Sequence, residues 1–417
     1  METLNINGVK VCLMPDKRLK TAALTVYLSL PLEKETASLN ALWPAVLMRG
    51  CEKYPETKDL NIYMEQLFGA SVGFKVEKQG ANQVVCMRFK TVSDVYATDE
   101  PFTKLIRLAG DILFHPLCEN GAFRKSYTER EKQVQVQYIE GLVNDKRKYA
   151  STRLIQEMCK DEEFSILACG EVDKVLEIDE KALYESYISA LKNGSISVYV
   201  TDHFDKEKIA PVLKEVFGEI VPADKTLRLP EIKGAPGNVN FVEEAAPVTQ
   251  GKLSMGFRTS ITRTSEEYYA MMLFNKLFGG SPYSKLFLNV REKLSLAYYA
   301  SSTYSSIKGL VIVNSGIEFE KYEAAKNEIL VQLDEMKKGN FTQEEIESAK
   351  LDIKNSYKEI SDYGEALSEY YSFLDNAGIF ESPEQVVEKI EKITKEQIVN
   401  AAQTVDLDTV YFLKGEE

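Results

Sequence analysis

Hydrophobic residues recur with two periods along the chain, and the same succession of elements occurs twice. Ala22-Ala23-Leu24-Thr25-Val26-Tyr27-Leu28-Ser29-Leu30 is apolar and β-branched enough to predict a strand, and Ser38 to Met48 behind it predicts a helix. The later counterpart is a strand over Lys252-Leu253-Ser254-Met255-Gly256-Phe257-Arg258 followed by a helix from Glu266 to Phe278. The ends of the two halves correspond as well. A helix from Asp179 to Leu191 leads through Lys192-Asn193-Gly194 into the strand Ile196 to Val200, and a helix from Lys395 to Thr404 leads into the strand Thr409 to Leu413. Between these ends, Phe102 to Leu113 places Leu105, Ile106, Leu108, Ala109, Ile112 and Leu113 on one helical stripe, while Glu129 to Ile139 and Glu344 to Tyr357 read as charged, amphipathic helices. Core packing is the plain meaning of such stripes.

The repeat predicts an α+β fold of two homologous domains. With 417 residues the chain is too long for one compact core and suits two. Pro222, Pro230, Pro236, Gly234 and Gly237 punctuate a polar stretch, so the expected division is a first domain over 1–222, a linker over 223–238 and a second domain over 239–417.

Composition narrows the function. Hydrophobic residues at 44% and charged residues at 28% are those of a globular protein. A net charge of -13 argues against nucleic acid and anionic membranes as partners, because phosphate-binding surfaces cluster Lys and Arg. Neutral or basic peptides remain compatible with it. The first residues lack a basic region followed by an apolar one, and no apolar run is long enough to cross a bilayer. Cys12, Cys51, Cys86, Cys118, Cys159 and Cys169 form no C-x-x-C pair and no zinc-ribbon spacing, so reduced thiols and a cytoplasmic location are expected. His115 and His203 are the sole histidines, too far apart for a two-histidine metal motif on one helix.

The most telling segment runs from Ser38 to Pro55: a small residue, an apolar helical run, Gly50, then Lys53-Tyr54-Pro55. It resembles the zinc-binding helix of the insulinase/pitrilysin-type peptidases, which carries His-x-x-Glu-His, two zinc ligands and a glutamate general base. Leu60 to Phe68 with Gly69-Ala70-Ser71-Val72 is similar to the helix and strand that follow in that family. The motif positions here read Ala41, Leu42, Trp43, Pro44 and Ala45. Ala41 and Ala45 cannot bind a metal, and Pro44 cannot accept a proton. Taken alone, the segment is a packing helix with Leu42, Trp43 and Leu47 buried. The family's third ligand is a glutamate on a later helix, which resembles Glu129-Arg130-Glu131-Lys132-Gln133-Val134-Gln135-Val136-Gln137-Tyr138. Counting from Glu131 puts Tyr138 at the ligand position, counting from Glu129 puts Val136 there, and a shifted register would reach Glu140.

The second half keeps what the first has lost. Leu277-Phe278-Gly279-Gly280-Ser281-Pro282-Tyr283-Ser284-Lys285-Leu286-Phe287, continuing into Asn289-Val290-Arg291-Glu292-Lys293-Leu294-Ser295-Leu296-Ala297-Tyr298-Tyr299, closely resembles the family's Gly-Gly, Ser-(Arg/Lys)-Leu-Phe, Arg-Glu-Lys, Leu-Ala-Tyr signature. The resemblance implies that Arg291 and Tyr298 contact substrate. An arginine offers fixed donors to peptide carbonyls, and a tyrosine hydroxyl can stabilise a developing oxyanion. Arg291 is expected near the end of a helix over Pro282 to Lys293 and Tyr298 on the next strand; a helix cap and a sheet tyrosine are the plain alternatives. A phosphate-loop reading of Gly279-Gly280-Ser281 lacks the G-x-x-x-x-G-K-[ST] arrangement.

The resemblance spans nearly the whole chain. It implies two domains, each a mixed sheet with helices on one face, forming half of a clamshell peptidase chamber. It further implies a processing-peptidase-like subunit without zinc of its own, which would lend Arg291 and Tyr298 to a His-x-x-Glu-His-bearing relative of similar size that holds the zinc and cleaves peptides. A homodimer is a further possibility. The alternative is a scaffold, assembly or peptide-binding protein that inherited the fold.

Overall fold

A computed structural model of the protein describes residues 1–220 and 227–416. The first half of the chain runs β1 (Glu2–Ile6), β2 (Val9–Pro15), β3 (Thr21–Pro31), α1 (Ala37–Leu47), α2 (Thr57–Gln66), β4 (Ser71–Gln79), β5 (Asn82–Val92) and α3 (Pro101–Phe114). After the short pair β6 (Cys118–Glu119) and β7 (Ala122–Phe123) come α4 (Lys125–Gly141), α5 (Lys146–Met158), α6 (Val172–Glu177), α7 (Glu180–Asn193), β8 (Ser195–Asp202) and α8 (Lys206–Phe217). The second half runs β9 (Asn240–Ala246), β10 (Gly251–Arg258), α9 (Tyr268–Phe278), a π-helix (Leu286–Lys293), β11 (Ala297–Ser305), β12 (Leu310–Ile317) and α10 (Tyr322–Lys337). It ends with α11 (Gln343–Asp362), α12 (Gly364–Asn376), α13 (Pro383–Glu391), α14 (Lys395–Gln403) and β13 (Asp406–Gly415).

Among the described residues the first sheet has the order β1-β2-β8-β3-β5-β4 and the second β11-β12-β10-β13-β9. Read from the opposite end, the second order is the first without β1. The directions agree too: β2 with β8 and β9 with β13 are the parallel pairs, and the corresponding remaining pairs are antiparallel. The α+β class and the internal repeat expected from the periodicity are therefore those observed.

Strand alternation decides which face meets the main helical layer. Ala22, Leu24, Val26, Leu28 and Leu30 of β3 project into one core with Leu42, Trp43, Val46 and Leu47 of α1 and with Leu105, Ile106, Ile112 and Leu113 of α3. The next-door positions Thr25, Tyr27 and Ser29 are buried on the other face. The family resemblance implies helices on one face of each sheet; in the first sheet α12 also packs on the other. Tyr27 shares a hydrogen bond with Ser368 at 3.2 Å, Ser29 donates to Asn376 at 3.0 Å, and Tyr199 donates to Asp375, all three partners lying on α12. The physical reason is that polar tips buried on a sheet need partners, and one helix from late in the chain supplies them.

The exchange is reciprocal. The chain forms two compact units: Met1–Glu140, Ile166–Arg228 and Asp362–Gly378 make the first, and Gly141–Ser165, Leu229–Ser361 and Ile379–Glu417 the second. Helix α12 thus belongs to the first unit, and α5 to the second. Within the second unit, Ala150 and Leu154 of α5 pack with Ile312, Tyr411 and Leu413. Gly256 of β10 has no side chain because a Cβ there would lie 2.6 Å from the Met158 sulfur. The chain passes between units at Arg228 and Leu229, within the 223–238 stretch. Residues 221–226, which hold the expected domain end at 222 and the start of that linker, lie outside the described residues.

Candidate functional site

Helix α1 is buried along nearly its whole length and continues past Pro44 to Leu47. Ala41 and Ala45 are buried, and Trp43 packs its ring 5.8 Å from that of Tyr187. Around α1 several polar groups pair with one another, although the buried Trp43 indole nitrogen has no hydrogen-bond partner among the described residues. Gln83 donates to the carbonyls of Ala37 and Ala168, Asn40 donates to Gln83, and Ser38 accepts from the Glu171 amide. The turn that follows needs Gly50, since a Cβ there would stand 2.8 Å from the carbonyl oxygens of both Tyr54 and Pro55.

The helix expected to bring a third ligand is α4. Tyr138 on it is 58% exposed, Glu140 is exposed, and Glu131, although buried, is committed to an ion pair with Arg49. Ala41, Pro44 and Ala45 carry no donor atoms, and the one buried carboxylate nearby already has its cation. The residues present do not fit zinc. Among the described residues no three His, Cys, Asp or Glu side chains gather as a metal-binding group. A ligand that binds the native state raises its stability. We therefore expect a strong chelator to leave the melting temperature of the isolated chain unchanged, with no zinc in elemental analysis of the purified protein; a chelator-induced drop in melting temperature would contradict this.

The signature in the second unit is built around two glycines. A Cβ at Gly279 would sit 2.6 Å from the Ser302 backbone nitrogen, and one at Gly280 would sit 2.9 Å from the Asn275 carbonyl. These close approaches seat the end of α9 on β11: the Ser302 amide donates to the Gly279 carbonyl at 2.9 Å, and its hydroxyl donates to the Asn275 side chain at 2.8 Å. Gly279→Ala should cost about 1–3 kcal/mol, the usual penalty of overpacking, read as a lower midpoint in urea with an unchanged slope.

Arg291 does not end an ordinary helix over Pro282 to Lys293. It lies in the π-helix Leu286–Lys293, whose end is marked by the Leu294 amide donating to the Asn289 carbonyl five residues back. Such turns are rare and occur often at functional sites. Its guanidinium lies over the Phe287 ring, 4.6 Å from the centroid, and 3.5 Å from the Glu292 carboxylate. Ser295 then reverses the chain in the left-handed region at φ 50°. Tyr298 falls where the β11–β12 register slips between Ala297 and Tyr299. It is the extra residue of a β-bulge, a device that re-aims a side chain, and it is 60% exposed. The sequence showed a tyrosine on a strand but not the bulge, which depends on pairing with β12.

Arg291 and Tyr298 line one open depression of about 380 Å³, together with Glu292, Ser295, Glu318 and Lys321. Lys321 holds the depression's wall by donating to the Ser295 carbonyl at 3.2 Å and pairing with Glu318 at 3.1 Å. Two exposed donors with different chemistry thus stand together beside β11, an edge of its sheet among the described residues.

Comparison with known proteins gives the family. The family model described as the peptidase M16 inactive domain matches residues 177–352. A "Probable inactive metalloprotease YmfF" of Bacillus subtilis is 37% identical over 98% of this chain and 96% of its own. The chain belongs to the M16 peptidase family. It is a member of that family, the insulinase type, in which the zinc motif is missing. A conserved protein from Enterococcus faecalis superposes with a TM-score of 0.92 at 27% identity, covering 100% of this chain and 98% of its own. The mitochondrial-processing peptidase subunit beta of Saccharomyces cerevisiae is 22% identical over 75% of this chain and 70% of its own. Among the described residues no helix is long and apolar enough to cross a membrane.

Proposed function

We propose that this M16 protein is the zinc-free subunit of a two-chain metallopeptidase, contributing Arg291 and Tyr298 to a peptide that is hydrolysed at the His-x-x-Glu-His centre of a relative of similar size. The observation that carries this reading is the asymmetry between the two units. In the first, Ala41 and Ala45 fill the metal-binding positions of the motif, Pro44 its general-base position and, counting from Glu131, Tyr138 the third-ligand position, whereas Arg291 and Tyr298 of the second share one open depression. Selection for packing alone gives no reason to hold an arginine and a tyrosine exposed on a π-helix and a bulge, two features associated with function.

The peptide adds a strand to β11, which is an edge of its sheet among the described residues. Backbone hydrogen bonds then give recognition that tolerates many sequences. Arg291 binds and orients a peptide carbonyl, and the Tyr298 hydroxyl donates to the oxygen on which negative charge develops. Six free cysteines support a cytoplasmic setting for the pair. Mixing the purified chain with an intact relative and assaying peptide cleavage tests the division of labour. Cleavage by the mixture and none by the chain alone is the expected outcome; chelator-sensitive cleavage by the isolated chain would overturn it. If the chain associates with a relative but never alters its cleavage, the scaffold reading takes over.

A further inference from the structure

The second unit carries another hollow, of about 600 Å³, outside the Arg291–Tyr298 depression. Asn144 to Arg147 at the start of α5 form one wall, Pro247 to Gln250 between β9 and β10 form the other, and Lys252 completes it. The Arg147 guanidinium lies over the Tyr299 ring, 4.4 Å from its centroid, and donates to the Ser301 hydroxyl at 3.0 Å. The Lys252 ammonium is 5.9 Å from the same ring centroid. A Cβ on Gly316, the residue between Lys252 and Tyr299 in the sheet, would lie 2.4 Å from the Tyr299 ring, so the floor exists because that position is glycine.

The two cations have no counter-ion here. Among the described residues no carboxylate lies within ion-pair distance of Arg147 or Lys252, and Lys252 bonds the neutral Gln250 side chain instead. Asp145, which also lines the hollow, accepts from the Lys148 amide at 3.1 Å as the cap of α5, and its carboxylate is 3.9 Å from Lys148. Burial, with the neighbouring Arg147 charge adding to it, holds the Lys252 ammonium below the usual lysine range. Like charges left together without neutralisation favour an anion. In a chain of net charge -13 such a pair is a local exception.

We propose that Arg147 and Lys252 form a carboxylate-binding subsite that takes an acidic side chain of a peptide lying along β11, an inference that rests on the peptide-binding reading above. Tyr299 and Ser301, against which Arg147 is held, are themselves β11 residues. The planar guanidinium matches a carboxylate with two parallel donors, and the lysine adds a point charge beside it. The subsite thus gives a selectivity for acidic peptides that backbone pairing lacks.

Calorimetry on the full chain, with chelator present and two short unstructured peptides differing only in Glu against Gln, tests the subsite. The Glu peptide should bind about tenfold more tightly, the effect of one charge-assisted hydrogen bond. The Arg147→Gln/Lys252→Gln variant should lose that preference, binding the Glu and Gln peptides equally, and Lys252→Arg should retain it. Equal binding of both peptides by the native chain overturns the subsite and leaves strand addition standing. If neither peptide binds, NMR titration of arginine-labelled protein with succinate decides. A saturable shift of the Arg147 side chain, absent with succinamide, supports the carboxylate site and overturns only the peptide reading. No shift, or a shift with inorganic phosphate alone, overturns the assignment.

Discussion

Mixed with a His-x-x-Glu-His-bearing relative, the Arg291→Ala chain should support peptide cleavage about a hundredfold less well than the native chain, with most of the loss in kcat. The magnitude follows from what positioning contributes: a peptide carbonyl held about 1 Å out of place costs on the order of 10² in rate. Arg291 meets the requirement of preorganisation, since stacking on Phe287 and the approach to Glu292 fix the guanidinium before any peptide arrives. Tyr298→Phe keeps the ring and the bulge and removes only the hydroxyl, so a smaller loss of about tenfold is expected, in line with one neutral hydrogen bond. Both variants should associate with the relative as the native chain does, measured by sedimentation, because both side chains are exposed and neither supports the core. Full activity from the Arg291→Ala mixture would remove Arg291 from the site. A rise in KM with kcat unchanged would restrict it to uniform binding of the peptide.

How much of this was legible in the sequence depends on whether a feature is local. Strand β3 and helices α1 and α14 announce themselves through periodicity over a few residues, and the repeat follows because β10, α9 and β13 show the same succession. The lost zinc positions were legible because alanine and proline cannot ligate in any fold. The exchange of α5 and α12 was not legible. Both carry ordinary amphipathic stripes, and the polar residues they satisfy, such as Ser29 and Tyr199 for α12, lie far away in the chain. The π-helix escaped for a different reason: widening the turn by one residue over eight positions leaves no period that a sequence could display. The Arg147–Lys252 hollow likewise joins residues whose proximity comes from docking α5 on the second sheet.

That docking should depend on one arginine. Arg258→Met should destabilise the second unit by about 3–5 kcal/mol, the range seen when one partner of a buried ion pair is removed. For a unit of this size the melting temperature falls by on the order of 10 °C. Arg258 is 4% exposed and donates to Asp408 at 2.5 Å, to the Met158 carbonyl at 2.8 Å and to Glu162 at 2.7 Å. Met158 and Glu162 belong to the exchanged segment, so Arg258 fastens that segment to β10 and β13. Lys308 completes the cluster by pairing with Glu162 and donating to the Glu231 carbonyl. Burial alone would raise the Glu162 pKa, but Lys308 and Arg258 outweigh it and hold the carboxyl below the usual glutamate range. The sign of the pH dependence follows. A carboxylate depressed in the folded state contributes its stability in full above the ordinary glutamate pKa of about 4.3, and loses it as pH falls through the lower folded value. Native protein should therefore lose stability steeply below about pH 4, and Glu162→Gln should flatten that slope while lowering stability at neutral pH. Circular dichroism melts across pH measure both. An Arg258→Met melting temperature close to the native one would show that the exchanged segment is held by its apolar contacts, Ala150, Leu154 and Met158, without the charges.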